Sequence, residues 1–231
     1  MLHRFPQHEV VLLPKQYHKN RLRQLTDGCY PVACEAFHVQ GSAEFFADVE
    51  GHILDCSGIV LSREENHTVG FCAWKYVPYG AYGFDTIVYI SGVCVLPQFQ
   101  NCGVAKEMIM KIFIADLRRS LPDKHAFLPL PSVSWFVMRT QSPKMKRAFD
   151  AAIGHNSFPN GAPLPEDARF IASHTMKYLK QTMDEDTLIC RGAYGHSLYG
   201  ETEPLDRCDY AAPFSRLDTG AGDAQVCVWR A

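Results

Sequence analysis

Several absences narrow this chain before any motif is considered. None of its 231 residues falls in a run approaching the roughly 18 to 20 apolar positions of a membrane-spanning helix. The opening residues, Met-Leu-His-Arg-Phe-Pro-Gln-His-Glu, hold no apolar core of signal-peptide length, so a cytoplasmic protein with no membrane partner is expected. Charge of one sign is scarce too: 23 Lys and Arg against 25 Asp and Glu leave a net −2, which gives no support to a nucleic-acid partner. Cysteine is present but unpatterned. Nine stand at 29, 34, 56, 72, 94, 102, 190, 208 and 227, an odd count without a single Cys-x-x-Cys pair. Buried free thiols are expected, with no zinc or other metal and no disulfide framework.

With 47% hydrophobic and 21% charged residues, the composition is that of a folded protein. The length suits one large α/β domain, or one of ordinary size with long elaborations, and a single domain over 1–231 is expected. Apolar spacing predicts a strand at 8–13, a helix at 16–25 broken by Asp27-Gly28, and helices within 30–49 that bury Val32, Ala36, Phe37, Phe45 and Phe46. Strands at 57–61 and 68–77 flank a polar turn at 64–67, and a turn-rich loop covers 78–83. The longest β-type run is 86–95. A helix over 103–119 carries an apolar stripe at 104, 108, 109, 112, 113 and 117 and ends at Leu121-Pro122-Asp123. Then come a strand at 132–139, a helix that Ser142 caps and Pro143 opens, stopped by Gly154, a loop at 159–165, a helix near 166–183, and strands at 187–194 and 224–230.

The most informative stretch is 93–106, where a strand stops at Pro97, passes through a tight polar loop and opens a helix with Gly103 and Ala105. First-turn N–H groups have no intrahelical partner and carry the positive end of the helix dipole, so such a loop suits an anion. Neither Gly-x-x-x-x-Gly-Lys-Ser/Thr nor Gly-x-Gly-x-x-Gly occurs here, which excludes the two established nucleotide loops. The spacing that does occur, Gln100-x-x-Gly103-x-Ala105, resembles the pyrophosphate-binding signature of the GNAT N-acetyltransferase superfamily. A second feature falls where that family needs it: Arg139-Thr140-Gln141-Ser142-Pro143, where the next strand gives way to a helix some 40 residues later.

The resemblance covers residues 57–155 well and the flanks by element order. It implies an α/β (α+β) fold with a mixed, mostly antiparallel twisted sheet, splayed central strands and helices on both faces. It also implies that Val93, Cys94 and Val95 meet a coenzyme A thioester with main-chain groups. Gln100, Asn101, Cys102, Gly103, Val104, Ala105 and Lys106 would then wrap its pyrophosphate, and Ser142 would stand at the head of the later helix on the same cofactor. Two positions depart from the family pattern. Many members begin the later helix with Asn and place a proton-donating Tyr seven residues on, where this chain has Ser142 and Phe149. Some carry a Glu general base where this chain has Tyr89.

Attack on a thioester requires a neutral amine, and an amine with a pKa near 10.4 needs a base at neutral pH. Tyr89, Asp85 and His67 are candidates, with Tyr89 favoured because alternation puts it on the face of Ser91 and Val93; water-relayed transfer is the alternative. In such a fold the aromatic segment 74–82 and the loop at 194–199 would flank the acceptor. The acidic run Asp184-Glu185-Asp186 reads as a solvated helix end. The resemblance therefore implies an acetyl-CoA (or other acyl-CoA) dependent N-acetyltransferase acting on a primary amine of a small molecule, peptide or protein, by direct attack in a ternary complex. The alternative on the same fold is a non-catalytic acyl-CoA-binding or sensing module, or one used for protein contacts. An unrelated phosphate-binding α/β protein is a third reading.

Overall fold

Short β-type runs and amphipathic stretches alternate along the chain, and in the computed structural model they build a mixed α/β fold with a seven-stranded, mostly antiparallel sheet and six helices among the described residues. Those residues are 6–13, 19–79, 85–120, 135–154, 157–198 and 211–230. The expected turn at 80–83, the helix stop at 121–123, the strand start at 132–134 and Tyr199 lie outside them. In chain order the elements are β1 (Gln7–Leu12), α1 (Lys19–Ala36), α2 (Ala43–Asp55), β2 (Gly58–Glu64), β3 (His67–Tyr79), β4 (Asp85–Val95), a 3-10 turn (Pro97–Phe99) and α3 (Val104–Ser120). There follow β5 (Trp135–Thr140), α4 (Pro143–Ile153), α5 (Glu166–Tyr178), β6 (Ile189–Cys190), α6 (Ala211–Phe214) and β7 (Ala224–Arg230). The chain divides into two compact units, Met1–Lys75 with Ile90–Asp116 and Tyr76–Tyr89 with Leu117–Ala231, and β3 and β4 each contribute to both.

In the first unit β1 pairs with β2 and β2 with β3, all antiparallel. Ile59 and Leu61 of β2 and Phe71 and Ala73 of β3 share one buried cluster with Leu25, Cys29, Val32 and Ala33 of α1 and Val49 and Ile53 of α2. Alternation turns Gly70 to the opposite face, where a Cβ would stand 3.4 Å from Met108 Cε of α3 and 3.1 Å from the Cys94 carbonyl oxygen. The sheet is thus covered on both faces. Helix α1 does not break at Asp27-Gly28 as expected; it runs through them and through Pro31. Burial decides this, because Leu25, Cys29, Val32 and Ala36 lie on one helical stripe and would leave the core if the helix stopped. A Gly and a Pro interior to a helix cost about 1 and about 3 kcal/mol, less than burying four such side chains gains.

In the second unit β5 and β6 both pair antiparallel with β7. Ala168, Ile171, Ala172 and Met176 of α5 pack with Trp135 and Val137 of β5, Val226 and Val228 of β7, and Ile87 and Tyr89 of β4. Phe136 and Trp229 alternate to the other face and meet edge to face at 5.7 Å. Helix α5 ends at Tyr178, earlier than expected, because Lys180 takes a left-handed φ of 57° and the Gln181 N–H donates to the Met176 carbonyl at 2.8 Å, a Schellman-type close. The strand expected over 187–194 shrinks to two residues, since Leu188 (φ 55°) and Gly192 (φ 60°) turn the chain on either side of them.

Candidate functional site

Three local decisions build the loop after β4. The 3-10 turn at Pro97–Phe99 closes with the Phe99 N–H on the Leu96 carbonyl at 2.9 Å and the Gln100 N–H on the Pro97 carbonyl at 3.2 Å. The Gln100 amide then folds back, its Nε2 donating to the Val95 carbonyl at 3.0 Å, so this side chain ties the loop to the end of the strand. Asn101 and Gly103 take positive φ, 60° and 86°, which turn the chain into α3. Asn tolerates that region and Gly is free in it. The first intrahelical bond runs from the Glu107 N–H to the Gly103 carbonyl at 3.0 Å, leaving the N–H groups of Val104, Ala105 and Lys106 outside the helical ladder.

Around this helix start Gln100, Asn101, Cys102, Gly103 and Lys106 are exposed, Val104 is buried and Ala105 half-buried. Beyond its own chain neighbours nothing lies within 4 Å of where a Gly103 Cβ would be, so the space beside the start of the helix is open. Such a start fits a diphosphate by the dipole and the free donors together. Glu107 in the first turn is drawn aside by the His8 ring of β1, whose Nε2 lies 2.8 Å from Glu107 Oε2. Upstream, Val93 is half-buried while Cys94 and Val95 are buried. Burial, with Cys29 and Cys72 nearby, pushes the Cys94 thiol well up. It is therefore protonated and poorly suited as a nucleophile.

The end of β5 carries the second cluster. Arg139 packs its guanidinium 4.7 Å from the centre of the Tyr194 ring, and the Tyr194 hydroxyl donates to the Arg139 carbonyl at 3.0 Å. Buried Gln141 accepts the Leu198 N–H at 2.9 Å and donates to the carbonyls of His196 and Thr219, each at 3.4 Å. The loop at 194–198 is thereby fastened to the strand. Tyr89 is only 5% exposed. Burial pushes its hydroxyl up; the Arg139 guanidinium works the other way and is outweighed. At neutral pH that phenol carries its proton, so it can donate a hydrogen bond and is a weak base.

Ser142 sits at the N-cap of α4, its Oγ accepting the Met145 N–H at 3.4 Å, while the Thr140 Oγ1 accepts the Ser142 N–H at 3.0 Å. Phe149, at the position of the family's Tyr, is fully buried. On the same helix lies a group that spacing did not reveal: Lys146 Nζ donates to Asp150 Oδ2 and to Ser157 Oγ, both at 2.8 Å, and Ser157 Oγ in turn donates to Asp150 Oδ1. All three are at most 3% exposed. The i, i+4 spacing of Lys146 and Asp150 was the available signal, but it reads as a surface pair.

The other singled-out groups lie elsewhere. His67 is exposed at the turn between β2 and β3, and Asp85 opens β4. Trp74 is fully buried, Tyr79 packs against Phe170 and His174, and Tyr82 lies outside the described residues. In the acidic run Asp184 accepts the N–H groups of Asp186 and Thr187, Glu185 accepts from Ser173, and Asp186 pairs with Arg169, so these carboxylates close a turn.

Residues 19–120 match the Acetyltransferase (GNAT) family, starting with α1 and ending with α3, and overlap the expected core over 57–120. Over that stretch the chain is similar to GNAT acetyltransferases, as its residues implied, and the match supports acyl transfer in general. No curated protein matches the chain in sequence. Among solved structures it is similar to the ribosomal-protein-S18-alanine N-acetyltransferase from Escherichia coli, at 10% identity and a TM-score of 0.45 over 97% of this chain and 94% of that one. It is also similar to an aminoglycoside N-acetyltransferase in complex with CoA, at 18% identity and 0.35 over 52% and 75%. A third is a ribosomal-protein-alanine N-acetyltransferase from Brucella melitensis, at 16% identity and 0.36 over 49% and 73%.

Proposed function

We propose that this chain is an acetyl-CoA (or other acyl-CoA) dependent N-acetyltransferase, cytoplasmic and acting as one GNAT-like domain, that acylates a primary amine of a small molecule or polypeptide. The observation that carries the reading is the helix start at Gly103: free first-turn N–H groups, a glycine with open space before it, and exposed Lys106 beside it. In this reading Gln100 braces the loop, Asn101, Cys102, Gly103, Val104 and Ala105 offer backbone donors to the diphosphate, and Val93, Cys94 and Val95 offer main-chain groups to the arm. Ser142 contributes from the head of α4. When bound, the acyl thioester supplies the activated carbonyl.

The amine attacks directly in a ternary complex, because buried, protonated Cys94 does not serve a covalent route. Tyr89 takes part as a hydrogen-bond donor near the reacting groups, and water removes the amine proton. With Phe149 in place of a donor, no side chain at that position returns a proton to the leaving thiolate. Acetyl-CoA, coenzyme A and ATP titrated in a thermal-shift assay test the reading, since a selective ligand raises the melting temperature by mass action. A rise with the two coenzyme A species and none with ATP is expected, together with thiol release when an amine is supplied. No rise with either coenzyme A species would sink it. Binding without thiol release across a broad amine panel would favour the acyl-CoA-sensing alternative, which the Phe149 and Tyr89 positions favour.

A further inference from the structure

One row across the sheet of the first unit carries polar side chains under an apolar helix face. His8 of β1 is paired with Ser62 of β2, and Ser62 with Gly70 of β3. Directly paired residues share a face of the sheet, and a Cβ on Gly70 would point at Met108 of α3, so His8 and Ser62 stand on the α3 side. There α3 buries Val104, Met108 and Ile112. The His8 side chain is only 6% exposed. Its Nδ1 and the Ser62 Oγ are both closed to water without a hydrogen-bond partner, which destabilises the fold and makes an imidazole a poorer filler here than an apolar ring. What the imidazole gains among the described residues is the contact of its Nε2 with Glu107 Oε2 at 2.8 Å. An ionised carboxylate only accepts, so the ring is the donor.

Glu107 is the acidic residue of the first turn of α3, and its side chain is 42% exposed. The helix dipole draws a carboxylate so placed towards the N–H groups of Val104, Ala105 and Lys106, which lie outside the helical ladder. Those are donors that the acyltransferase reading gives to the diphosphate, and a carboxylate released beside them would compete with it and repel it. We propose that His8 is a positioning residue for the cofactor: by holding the Glu107 carboxylate against β1 it keeps the start of α3 free for the coenzyme A diphosphate. The inference rests on the acyltransferase reading. His8 acts through Glu107, and all the groups involved belong to the first unit.

The test is a double-mutant cycle on the full chain: coenzyme A titrated calorimetrically, at neutral pH and low salt, into wild type, His8→Phe, Glu107→Gln and the double variant. His8→Phe fills the same place without a donor and should weaken coenzyme A binding about threefold or more, because the freed carboxylate carries its charge to the helix start. Glu107→Gln should bind at least as tightly as wild type. The double variant should bind within about twofold of Glu107→Gln, since an amide has no charge to hold aside. A role of His8 in the fold alone would not give that recovery. Unchanged affinity in His8→Phe, or an equal loss with and without Glu107→Gln, overturns the inference. If His8→Phe does not fold, His8→Leu, which also lacks the donor, takes its place in the cycle. Failure of coenzyme A to bind the wild-type chain would instead count against the acyltransferase reading, and the inference would fall with it.

Discussion

Arg139 and Tyr194 hold each other twice, through a guanidinium 4.7 Å from the ring centre and through a hydroxyl that donates to the Arg139 carbonyl at 3.0 Å. The two contacts separate by mutation. Tyr194→Phe loses only the hydrogen bond and should cost about 1 kcal/mol. Tyr194→Leu also removes the ring beneath the cation and should cost about 1 kcal/mol more. Urea denaturation midpoints measure both; equal losses would show that the ring contributes nothing to Arg139.

Gly103 sits at φ 86° with open space where a side chain would go. Gly103→Ala meets no clash and pays only the left-handed backbone, about 1 to 2 kcal/mol of stability. Acetyl-CoA affinity should survive it nearly intact. Gly103→Asp adds a carboxylate at the helix start and should weaken acetyl-CoA binding by about tenfold or more through repulsion of the diphosphate. Thermal-shift titration of both variants against wild type distinguishes backbone strain from charge. Undiminished affinity in a folded Gly103→Asp variant would remove the loop from the cofactor site.

The Lys146–Asp150 pair is buried with Ser157 as a third partner. Asp150→Ala takes the carboxylate from a buried ammonium and should cost about 3 to 5 kcal/mol. Replacing both, as Lys146→Met with Asp150→Leu, should cost less than the sum of the two single changes, because no buried charge is then stranded. A double-mutant cycle by chemical denaturation checks this, and simple additivity would mean that the two charges do not act as a pair.

Buried thiols set an alkaline limit. Burial, assisted by the neighbouring Cys56, lifts Cys29 from 9.0 to about 12, and burial likewise lifts Cys56 and Cys227 to about 12. Between these values the unfolded chain loses protons that the native chain keeps. Stability is therefore complete below pH 9 and falls as pH rises towards 12, by up to about 1.4 kcal/mol per pH unit for each thiol. Melting temperatures in reducing buffer from pH 7.5 to 10.5 should stay level and then fall. Cys29→Ala should shallow the fall by one proton's share; an unchanged slope would mean that Cys29 ionises alike in both states.

Much of the local architecture was legible because it depends on near neighbours. Pro97, Gly103 and the apolar stripe at 104, 108, 109 and 112 mark a strand stop, a turn and an amphipathic helix, and all three occur there. Ser142-Pro143 opens α4 as its cap and first residue. The break expected at Asp27-Gly28 failed because the benefit of continuing α1 lies in contacts with α2 and the sheet, which local propensity does not register. The short β6 and the early end of α5 were missed because left-handed Lys180 and Leu188 have no composition signal of their own.

The amino-acid sequence by itself determined the helix start at Gly103 and the order of elements around it, since dihedral preference, capping and apolar period act within a few residues. Only tertiary structure set Tyr194 beneath Arg139, 55 residues away, hung the loop at 194–198 on Gln141, and turned the i, i+4 pair of Lys146 and Asp150 inward onto Ser157. The physical reason is that burial and pairing of a charge depend on which distant segments close over it, and no local spacing encodes that closure.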